Sequence, residues 1–348
     1  MRTRTEKDSL GERRVPEDAY YGAQTHRALE NFPISGIPPS PAYVDATLQI
    51  KMAAAGVNRS LGLLDGERAD AITAAFGSYD EFVKQFSDAA MTQFGFAGKL
   101  YPVNPTGGKI NGAAIYKSVK DIPDEVDFII SAIPAPFTPQ LVDDAAAKGV
   151  RAIHFFTSGF GEIEDADGKR LQAEIIARAE KGGIRVVGPN CLGLYCPAGG
   201  LSFNGDFDKT AGRVAMISQS GGNAAHCIHD GTSRGLYFSK VISMGNGADL
   251  NEADYMEYLT RDTETKIITA YLEGAREGER FFRALQSASE AKPVIILKVG
   301  TSRPGAQAAV SHTTALAGSD QIWEGVLSQT RAIRTGSIEE MVDVALAF

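Results

Sequence analysis

The chain has little of what marks a secreted, membrane-bound or nucleic-acid-binding protein. Its 348 residues include only three cysteines and one tryptophan, and 35 basic residues are outnumbered by 43 acidic ones. Three cysteines at irregular spacing do not make a disulfide framework. No apolar run reaches membrane-spanning length, the first residues contain no apolar signal core, and the net charge of −8 comes with no basic run. These absences predict a reduced cytoplasmic protein that binds neither membranes nor nucleic acids.

Two kinds of sequence follow one another along the chain. Residues 1–75 form a polar arm and then Ala-rich stretches with helical spacing, which predict two helices without a core of their own. From about residue 83, apolar runs of strand length alternate with amphipathic helical segments. This alternation is typical of parallel sheets with helices on both faces, so the predicted fold class is α/β. The pattern restarts after a linker predicted at 191–212, and we therefore expect two α/β domains, at 76–196 and 197–348.

The stretch VAMISQSGG, residues 214–222, runs from an apolar strand through a short turn into a helix. Free backbone N–H groups at a helix start attract anions, and glycines let a phosphate come close to the backbone. From the pattern alone, a tight turn with capping serines explains the same residues equally well. The candidate phosphate-binding residues are Ser218, Gln219, Ser220, Gly221 and Gly222.

Three further features are candidates for a crevice at the ends of strands. Glu273 follows the apolar run ITAYL, and ligand sites of open parallel sheets lie at such strand ends. A carboxylate there holds an imidazole in one tautomer, whereas a solvated loop glutamate is the simpler interpretation. His312 lies in SHTTALAG among small residues that leave room around its ring, so it is either a nucleophile or a histidine capping a surface helix. The glycine loop at 243–250 either lines the same crevice or simply connects two elements.

The stretch HCIHD, residues 226–230, places two histidines, a cysteine and an aspartate close together in sequence. His226 and His229 lie on one face of a predicted helix. A zinc site needs three or four ligands with a defined outer shell, and the sequence contains no second cluster of such residues. We therefore predict no metal site.

Several stretches of the chain occur in the order found in one enzyme family. They are GFAGKLYPVNPTGGK, VVGPNCLGL, VAMISQSGG, YLEG, KPVIILKVGTS and SHTTALAG. Over about residues 83–348 the chain resembles the alpha chain of succinyl-CoA synthetase and, more closely, the alpha-type region of NDP-forming acyl-CoA synthetases. The resemblance implies a Rossmann-like CoA-binding domain followed by a flavodoxin-like domain. It also implies an acid-thiol ligase, which makes acyl-CoA, ADP and phosphate from an acid, CoA and ATP.

The same resemblance implies roles for individual residues. His312 matches the histidine that is phosphorylated, Glu273 matches its carboxylate partner, and residues 218–222 match the helix start that holds the phosphoryl group. The residues that it assigns to CoA are Val103, Asn104, Pro105, Lys109, Ile133, Pro134, Pro136, Asn190 and Cys191.

The resemblance further implies partners that this chain must find elsewhere. In the family, ATP or ADP with Mg sits on an ATP-grasp domain of a beta-type partner, and a small carboxylic acid is the substrate. This sequence contains no ATP-grasp region, so the chain by itself is expected not to complete the reaction.

The chain departs from this family near its beginning. Where the family has a strand and a glycine loop of the type SVAVIGAS, this sequence reads FGSYDEFVKQFSDAAMTQFGFAG, which predicts a truncated CoA-binding domain. The segment TEKDSLGERRVPEDAYYGAQTHRALENFPISG instead resembles the arm of aspartase/fumarase proteins. The GSSxMPxKxNP-type loop of those lyases is absent, which argues against lyase activity. Two alternatives to the ligase stay open: a CoA-binding regulatory module and an inactive chimera.

Overall fold

The computed structural model describes residues 3–8, 11–17, 26, 59, 65, 94–110, 113–162, 166–300 and 320–348. The chain divides into two compact units, Met1–Val83 and Lys84–Phe348. In the first unit, β1 (Thr3–Asp8) and β2 (Gly11–Pro16) pair as an antiparallel hairpin with Val15 buried. The helices predicted before residue 75 lie outside the described residues.

The second unit begins with a small sheet and a hairpin. The hairpin consists of β3 (Gly108–Ile110) and β4 (Ala113–Ile115). The small sheet has three parallel strands in the order β5-β6-β7, formed by β5 (Phe128–Ser131), β6 (Ala152–Phe155) and β7 (Arg185–Val187). Its connections are helices α1 (Thr138–Lys148) and α2 (Ala166–Lys181). One core cluster joins both helices to this sheet, with Val142, Ile153, Phe155 and Ile175 fully buried.

The stretch TPQLVDDAAAKG, residues 138–149, predicts a helix with Thr138 as its cap, Pro139 as its first residue and Gly149 as its stop. The structure differs at the start, because Thr138 is already the first helical residue and its hydroxyl donates to the carbonyl of Ala135 at 2.7 Å. The reason is that a 3-10 turn at Ala135–Phe137 already leads into the helix. Gly149 ends α1 in the left-handed conformation, φ 79°, which glycine adopts without steric cost.

The stretch KLYPVN, residues 99–104, predicts a short strand, and this prediction is wrong. Only Val103 makes a bridge, to Tyr116, supported by bonds from Asn104 N–H to the Tyr116 carbonyl and from Tyr116 N–H to the Pro102 carbonyl, both 2.9 Å. Pro102 and Pro105 have no N–H to donate, so this segment cannot carry a regular ladder.

The large sheet has six strands in the order β13-β12-β11-β9-β10-β8, and only β8 runs antiparallel to its neighbour. The strands are β8 (Gly193–Tyr195), β9 (Val214–Ser218), β10 (Phe238–Ser243), β11 (Ile267–Leu272), β12 (Val294–Lys298) and β13 (Ile333–Thr335). The helices are α3 (Gly221–Ser233), α4 (Glu252–Arg261), α5 (Gly278–Ala291), α6 (Asp320–Ser328) and α7 (Ile338–Leu346).

Helices cover both faces of the large sheet. Side chains of α4, α5 and α6 pack on one face, in a cluster with Ile217, Leu272 and Ile296, and side chains of α3 and α7 pack on the other, with Met216 and Ile295. The α/β fold class predicted from the sequence is thus confirmed. The sequence analysis missed α6 and β13, and it assigned β8 to a linker. None of the helices in the described part is both long and apolar enough to span a bilayer.

Candidate active site

The turn predicted to bind phosphate lies between β9 and α3. The hydroxyl of the buried Ser218 donates to the carbonyl of Ser220 at 2.7 Å and accepts the Ser220 N–H at 3.2 Å. The hydroxyl of Ser220 caps α3, because it accepts the N–H of Asn223 at 3.3 Å. The N–H groups of Gly221 and Gly222, the first two helical residues, have no hydrogen-bond partner among the described residues. They are therefore the donors that remain for an anion.

The two glycines of this turn have different surroundings. A Cβ on Gly221 would lie 2.6 Å from Cγ of Leu192, so packing excludes a larger residue there. Around Gly222 no described atom lies within 4 Å of the place that a Cβ would take. The backbone at Gly222 is thus open to an approaching ligand.

The side chain of Gln219 is directed toward the end of β11 and makes its hydrogen bonds there. Its Nε2 donates to the carbonyl of Gly274 at 3.1 Å, and its Oε1 accepts the N–H of Gly274 at 3.1 Å and the N–H of Glu273. Its own N–H donates to the carbonyl of Tyr271 at 3.2 Å. The end of β9 is therefore tied directly to the backbone of Glu273.

Glu273 leaves the backbone on the side of the sheet that carries α3. Leu272 packs with α4 and α5, whereas Tyr271 packs in the opposite cluster with α3, and side chains alternate along a strand. Burial, and secondly the nearby carboxylate of Glu273, raise the pKa of Tyr271 to about 12. Glu273 and the start of α3 thus lie at the same edge of the sheet, and the alternation of β11, extended by one residue, assigns them to the same face.

The loop after Glu273 is held by a carboxylate that the sequence analysis missed. Glu252, the first residue of α4, is 1% exposed, and its Oε1 accepts the N–H of Arg276 at 2.6 Å. The guanidinium Nε of Arg276 donates to the carbonyl of Asn246 at 3.0 Å. Burial raises the pKa of Glu252. Its position at a helix start after an Asn cap resembles ordinary capping, so nothing in the sequence singled it out.

Two of the segments predicted to bind CoA meet at Thr157. The hydroxyl of Thr157 donates to the carbonyl of Ile133 at 2.6 Å, and its carbonyl accepts the N–H of Asn190 at 2.9 Å. Thr157 lies just beyond β6. It therefore joins the loop that follows β5 to the loop that follows β7. A polar residue directly after the apolar run AIHFF was the sequence signal for it.

A polar junction links these loops to the glycine loop at 243–250. The amide of Asn246, 5% exposed, donates to Glu162 Oε2 at 2.6 Å and to Gln172 Oε1 at 2.9 Å. The N–H of Asn246 donates to the carbonyl of Pro189 at 3.0 Å. The glycine loop therefore packs on the predicted CoA segment at 188–191. It also reaches the anion turn, because the N–H of Met244 donates to the Ser218 carbonyl at 2.9 Å.

The other residues predicted to bind CoA lie in two places, at the β3–β4 hairpin and at a groove between α1 and α2. Val103, Asn104, Pro105 and Lys109 are exposed and lie on or next to the β3–β4 hairpin, where Asn104 Oδ1 accepts the N–H of Thr106 at 3.0 Å. No described hydrogen bond joins them to Asn190 or Cys191.

Pro136 lines an open groove of about 700 Å³ between α1 and α2. Ala135, Pro139 and Gly159 form its inner wall, and Arg170 and Arg178 lie along it. This volume falls within the range typical of small-molecule sites.

Cys191 and His154 form the buried boundary between the two sheets. Burial raises the pKa of the Cys191 thiol, which lies 3.7 Å from the carbonyl of Phe155. The imidazole Nε2 of His154 donates to the carbonyl of Cys191 at 3.2 Å. Burial lowers the pKa of His154 to about 4, so the ring is neutral at pH 7. Both side chains are shielded from solvent and pack inside the protein.

The residues of HCIHD point in different directions. His226 lies 3.9 Å from Glu339, His229 packs edge-on against Phe207, Cys227 lies in the core, and Asp230 pairs with Arg234 at 3.1 Å. Across the described ranges, no three His, Cys, Asp or Glu side chains stand together as metal ligands. His312 lies outside the described residues.

Comparisons with known proteins agree with this arrangement. Residues 81–197 match the family model of a CoA binding domain, and residues 211–348 match that of the succinyl-CoA ligase like flavodoxin domain. The alpha subunit of acetate–CoA ligase (ADP-forming) II from Pyrococcus furiosus is 42% identical over 253 residues, which are 72% of this chain and 55% of that protein. The corresponding subunit of ligase I is 39% identical over 262 residues, 74% of this chain and 56% of that protein. The chain thus spans little more than half the length of these relatives.

A solved structure gives the same result for the fold. Acetyl-coenzyme A synthetase 1 of Ca. Korarchaeum cryptofilum, in complex with phosphate and ADP, superposes with a TM-score of 0.69 at 32% identity, over 77% of this chain and 58% of that one. A separate N-terminal stretch is 65% identical over 72 residues to class II fumarate hydratase of Halobacterium salinarum, covering 21% of this chain and 15% of that protein. Over residues 81–348 the chain is therefore homologous to the alpha-subunit region of ADP-forming acetate–CoA ligases, with a CoA binding domain and a succinyl-CoA ligase like flavodoxin domain, and a fumarase-like segment matches a short N-terminal stretch.

Proposed function

We propose that this chain is the phosphohistidine-bearing, alpha-like part of an NDP-forming acyl-CoA synthetase, an acid-thiol ligase. The observation that carries the proposal is the edge of the large sheet at β9 and β11. There the free N–H groups of Gly221 and Gly222 and the carboxylate of Glu273 share one face, and Gln219 ties the two strand ends together. A helix start of this kind balances phosphoryl charge, and a carboxylate orients an imidazole.

The proposed reaction is a phosphoryl relay. Inorganic phosphate attacks the thioester of acyl-CoA and releases CoA, which leaves an acyl phosphate. His312 then attacks the phosphorus atom, so a P–N bond forms, the P–O bond to the acyl group breaks, and the carboxylate leaves. ADP takes the phosphoryl group from His312 to become ATP, and the reverse sequence makes acyl-CoA. Gly221 and Gly222 hold the phosphoryl oxygens, and Glu273 keeps the imidazole in the nucleophilic tautomer.

The CoA side of the proposal rests on the loops at the carboxyl ends of the small sheet. Pro136 lines the groove between α1 and α2, and Thr157 joins Ile133 of the same segment to Asn190. Cys191 supports the loop from within, because its thiol is buried. Val103, Asn104, Pro105 and Lys109 supply an exposed second contact, in which the ammonium group of Lys109 suits a CoA phosphate.

The nucleotide belongs to a partner in this proposal. The Pyrococcus relatives are named alpha subunits, which implies a beta subunit, and we assign to that partner the ATP-grasp domain with ATP or ADP and Mg. The substrate is a small carboxylic acid, because relatives are named for acetate and 4-hydroxybutyrate. The complex is proposed to work in the cytoplasm.

The test is transfer of a labelled phosphoryl group to the purified chain. Incubation with acetyl phosphate labelled with ³²P is expected to give an acid-labile, base-stable phosphohistidine without a partner. The change His312→Asn abolishes the label, and the partly exposed His226, changed to Asn, serves as the matched control that keeps it. Phosphopeptide mapping to residues 301–319 identifies the site.

A second arm tests the CoA side of the same reaction. Acetyl-CoA with labelled inorganic phosphate is expected to give the same phosphohistidine, since the chain then makes the acyl phosphate itself. Label from acetyl phosphate but not from acetyl-CoA would show that the phosphoryl half works and the CoA half does not. Saturable CoA binding without any label would instead support a regulatory module.

A further inference from the structure

The side chain of Gln219 has a role that its sequence position concealed. It sits in the turn expected to bind phosphate, yet it is 8% exposed, and its hydrogen bonds go to the backbone of Glu273 and Gly274. A side-chain amide presents one carbonyl acceptor and N–H donors, as a peptide group does. The side chain of Gln219 therefore offers the end of β11 the hydrogen-bond donor and acceptor that one more residue of the neighbouring strand β9 would offer.

The position of this contact is where the regular ladder between β9 and β11 stops. Tyr271 is the last residue of β11 paired with β9, opposite Ser218. Beyond it, the N–H groups of Glu273 and Gly274 and the carbonyl of Gly274 would face the interior without a strand partner. Leaving such groups unpaired costs free energy, and Gln219 satisfies them from the adjacent turn.

The contact also fixes the direction of the Glu273 side chain. Glu273 lies one residue beyond the end of β11, with its N–H held. The alternation of that strand, extended by one residue, directs its side chain to the face that carries Tyr271 and α3. On the other side of the loop, Arg276 is held by Glu252, so the segment 273–276 is fastened at both ends. The carboxylate is thereby carried on a fixed backbone.

We propose that Gln219 is a positioning residue, whose amide holds the backbone of Glu273 and Gly274 so that the Glu273 carboxylate is aimed at the phosphoryl site at the start of α3. This role rests on the function proposed above. It replaces the expectation that the Gln219 side chain binds the phosphoryl group itself.

The discriminating variant is Gln219→Glu, because its effect depends on pH. An ionised glutamate accepts the N–H groups of Glu273 and Gly274 but cannot donate to the Gly274 carbonyl, and it repels the Glu273 carboxylate. A protonated glutamate accepts and donates as the glutamine does. Burial beside the Glu273 carboxylate is expected to raise the pKa of the introduced carboxyl above its usual value of about 4.3, so that it is protonated at pH 5.5. The rate of labelling by acetyl phosphate, divided by the wild-type rate, is expected to be about 0.1 at pH 8 and to approach one at pH 5.5.

Two further variants separate positioning from general damage. Gln286→Glu makes the same change on the exposed side of α5, and its rate ratio should be independent of pH. Gln219→Leu keeps the volume but has no hydrogen bonds, and it should lower the rate at every pH. Hydrogen exchange of the peptide 271–277 reports the contact without any chemistry. Gln219→Leu should speed exchange at Glu273 and Gly274, and Gln219→Glu should do so at pH 8 only, relative to wild type.

Each outcome bears on one idea. If Gln219→Glu has a pH-independent rate ratio while wild type is labelled, the positioning role is overturned and the proposed function stands. A raised KM for acetyl phosphate with unchanged kcat in Gln219→Leu would mean that the side chain binds the anion after all, which also overturns the role. No label on wild type removes the proposed function and, with it, any role for Gln219 in aiming Glu273, even where hydrogen exchange shows the contact.

Discussion

Every residue of β9 and β12 is buried, whereas in β5 only Ser131 is buried and Ile130 is 42% exposed. All three strands come from apolar runs, and β5 and β9 lead to loops of the candidate site. The difference lies in what surrounds them. The large sheet has core clusters on both faces, while the described core of the small sheet joins α1 and α2 to one face, and His154 lies on the other.

This contrast teaches that an apolar run does not by itself determine burial. In a doubly wound sheet a strand is buried when it has strands on both sides and helices above and below. β9 lies between β10 and β11, but β5 is the outer strand of three among the described residues. The phosphoryl edge is therefore built on the more completely buried frame, and the CoA loops are built on the more exposed one.

The largest expected effect is a direct test of this contrast. Ile217→Ala in β9 removes a fully buried side chain and should lower the free energy of unfolding by about 3 kcal/mol, because lost burial and a cavity add. Ile130→Ala in β5 makes the same chemical change at a half-exposed site and should cost less than about 1 kcal/mol. Urea denaturation measures both. Equal losses would show that β5 is covered in solution and would break the comparison.

An intermediate effect concerns pH and the second face of the small sheet. Burial lowers the pKa of His154 to about 4, from a usual value near 6.5, so the unfolded chain takes up the proton first as the pH falls. The contribution of His154 to stability is complete above about pH 6.5 and is lost as the pH falls toward 4. Between pH 7 and pH 5 this amounts to about 2 kcal/mol.

The matched variant for this prediction is His154→Gln, which keeps an amide donor for the carbonyl of Cys191 and does not titrate. Its free energy of unfolding should change less between pH 7 and pH 5 than that of wild type. Parallel pH dependence in both proteins would mean that His154 is open to solvent, and the face of the small sheet that carries it would then be less buried than described.

The smallest effect concerns the joint between the two sheets. Asp249 accepts three bonds from the guanidinium of Arg185 and one from the N–H of Val186 in β7, at 2.7 to 3.2 Å. Asp249→Ala leaves the Val186 N–H without this partner and should lower the unfolding free energy by about 1 kcal/mol. Arg151→Ala removes an exposed pair with Asp127 within the small sheet and should have no measurable effect, because solvent screens such pairs. A larger loss for Arg151→Ala would contradict this order.

Much of the fold was predictable because the local signals were strong. The runs around β9, β11 and β12 are apolar over their whole length, and a glycine with positive φ follows the end of α1 and of α2. The strand predicted at 99–104 is reduced to one bridge between Val103 and Tyr116, because Pro102 cannot donate to a ladder. The short β8 and β13 were missed because three residues carry no usable periodicity.

The candidate site was predictable in its outline but not in its hydrogen bonds. The turn at 218–222, Glu273 and the loop at 188–191 do converge at the ends of strands, as expected for a parallel sheet. The side chain of Gln219 bonds to the backbone of Glu273 and Gly274, which the sequence did not predict, and Thr157, Asn246 and Glu252 were absent from the prediction. Each of these residues acts on a segment more than 20 positions away in the chain, and the residues next to it do not reveal that partner.

The sequence by itself determined the family resemblance, the alternation of strands and helices and the glycine turn, because these depend on local composition, period and motif order. Only the tertiary structure decided which strands are buried, which N–H groups stay free at the start of α3, and that Gln219 completes the edge of β11. The physical reason is that burial and hydrogen-bond partners are set by the neighbours that folding brings together, and the same amide side chain binds whichever backbone groups it finds there.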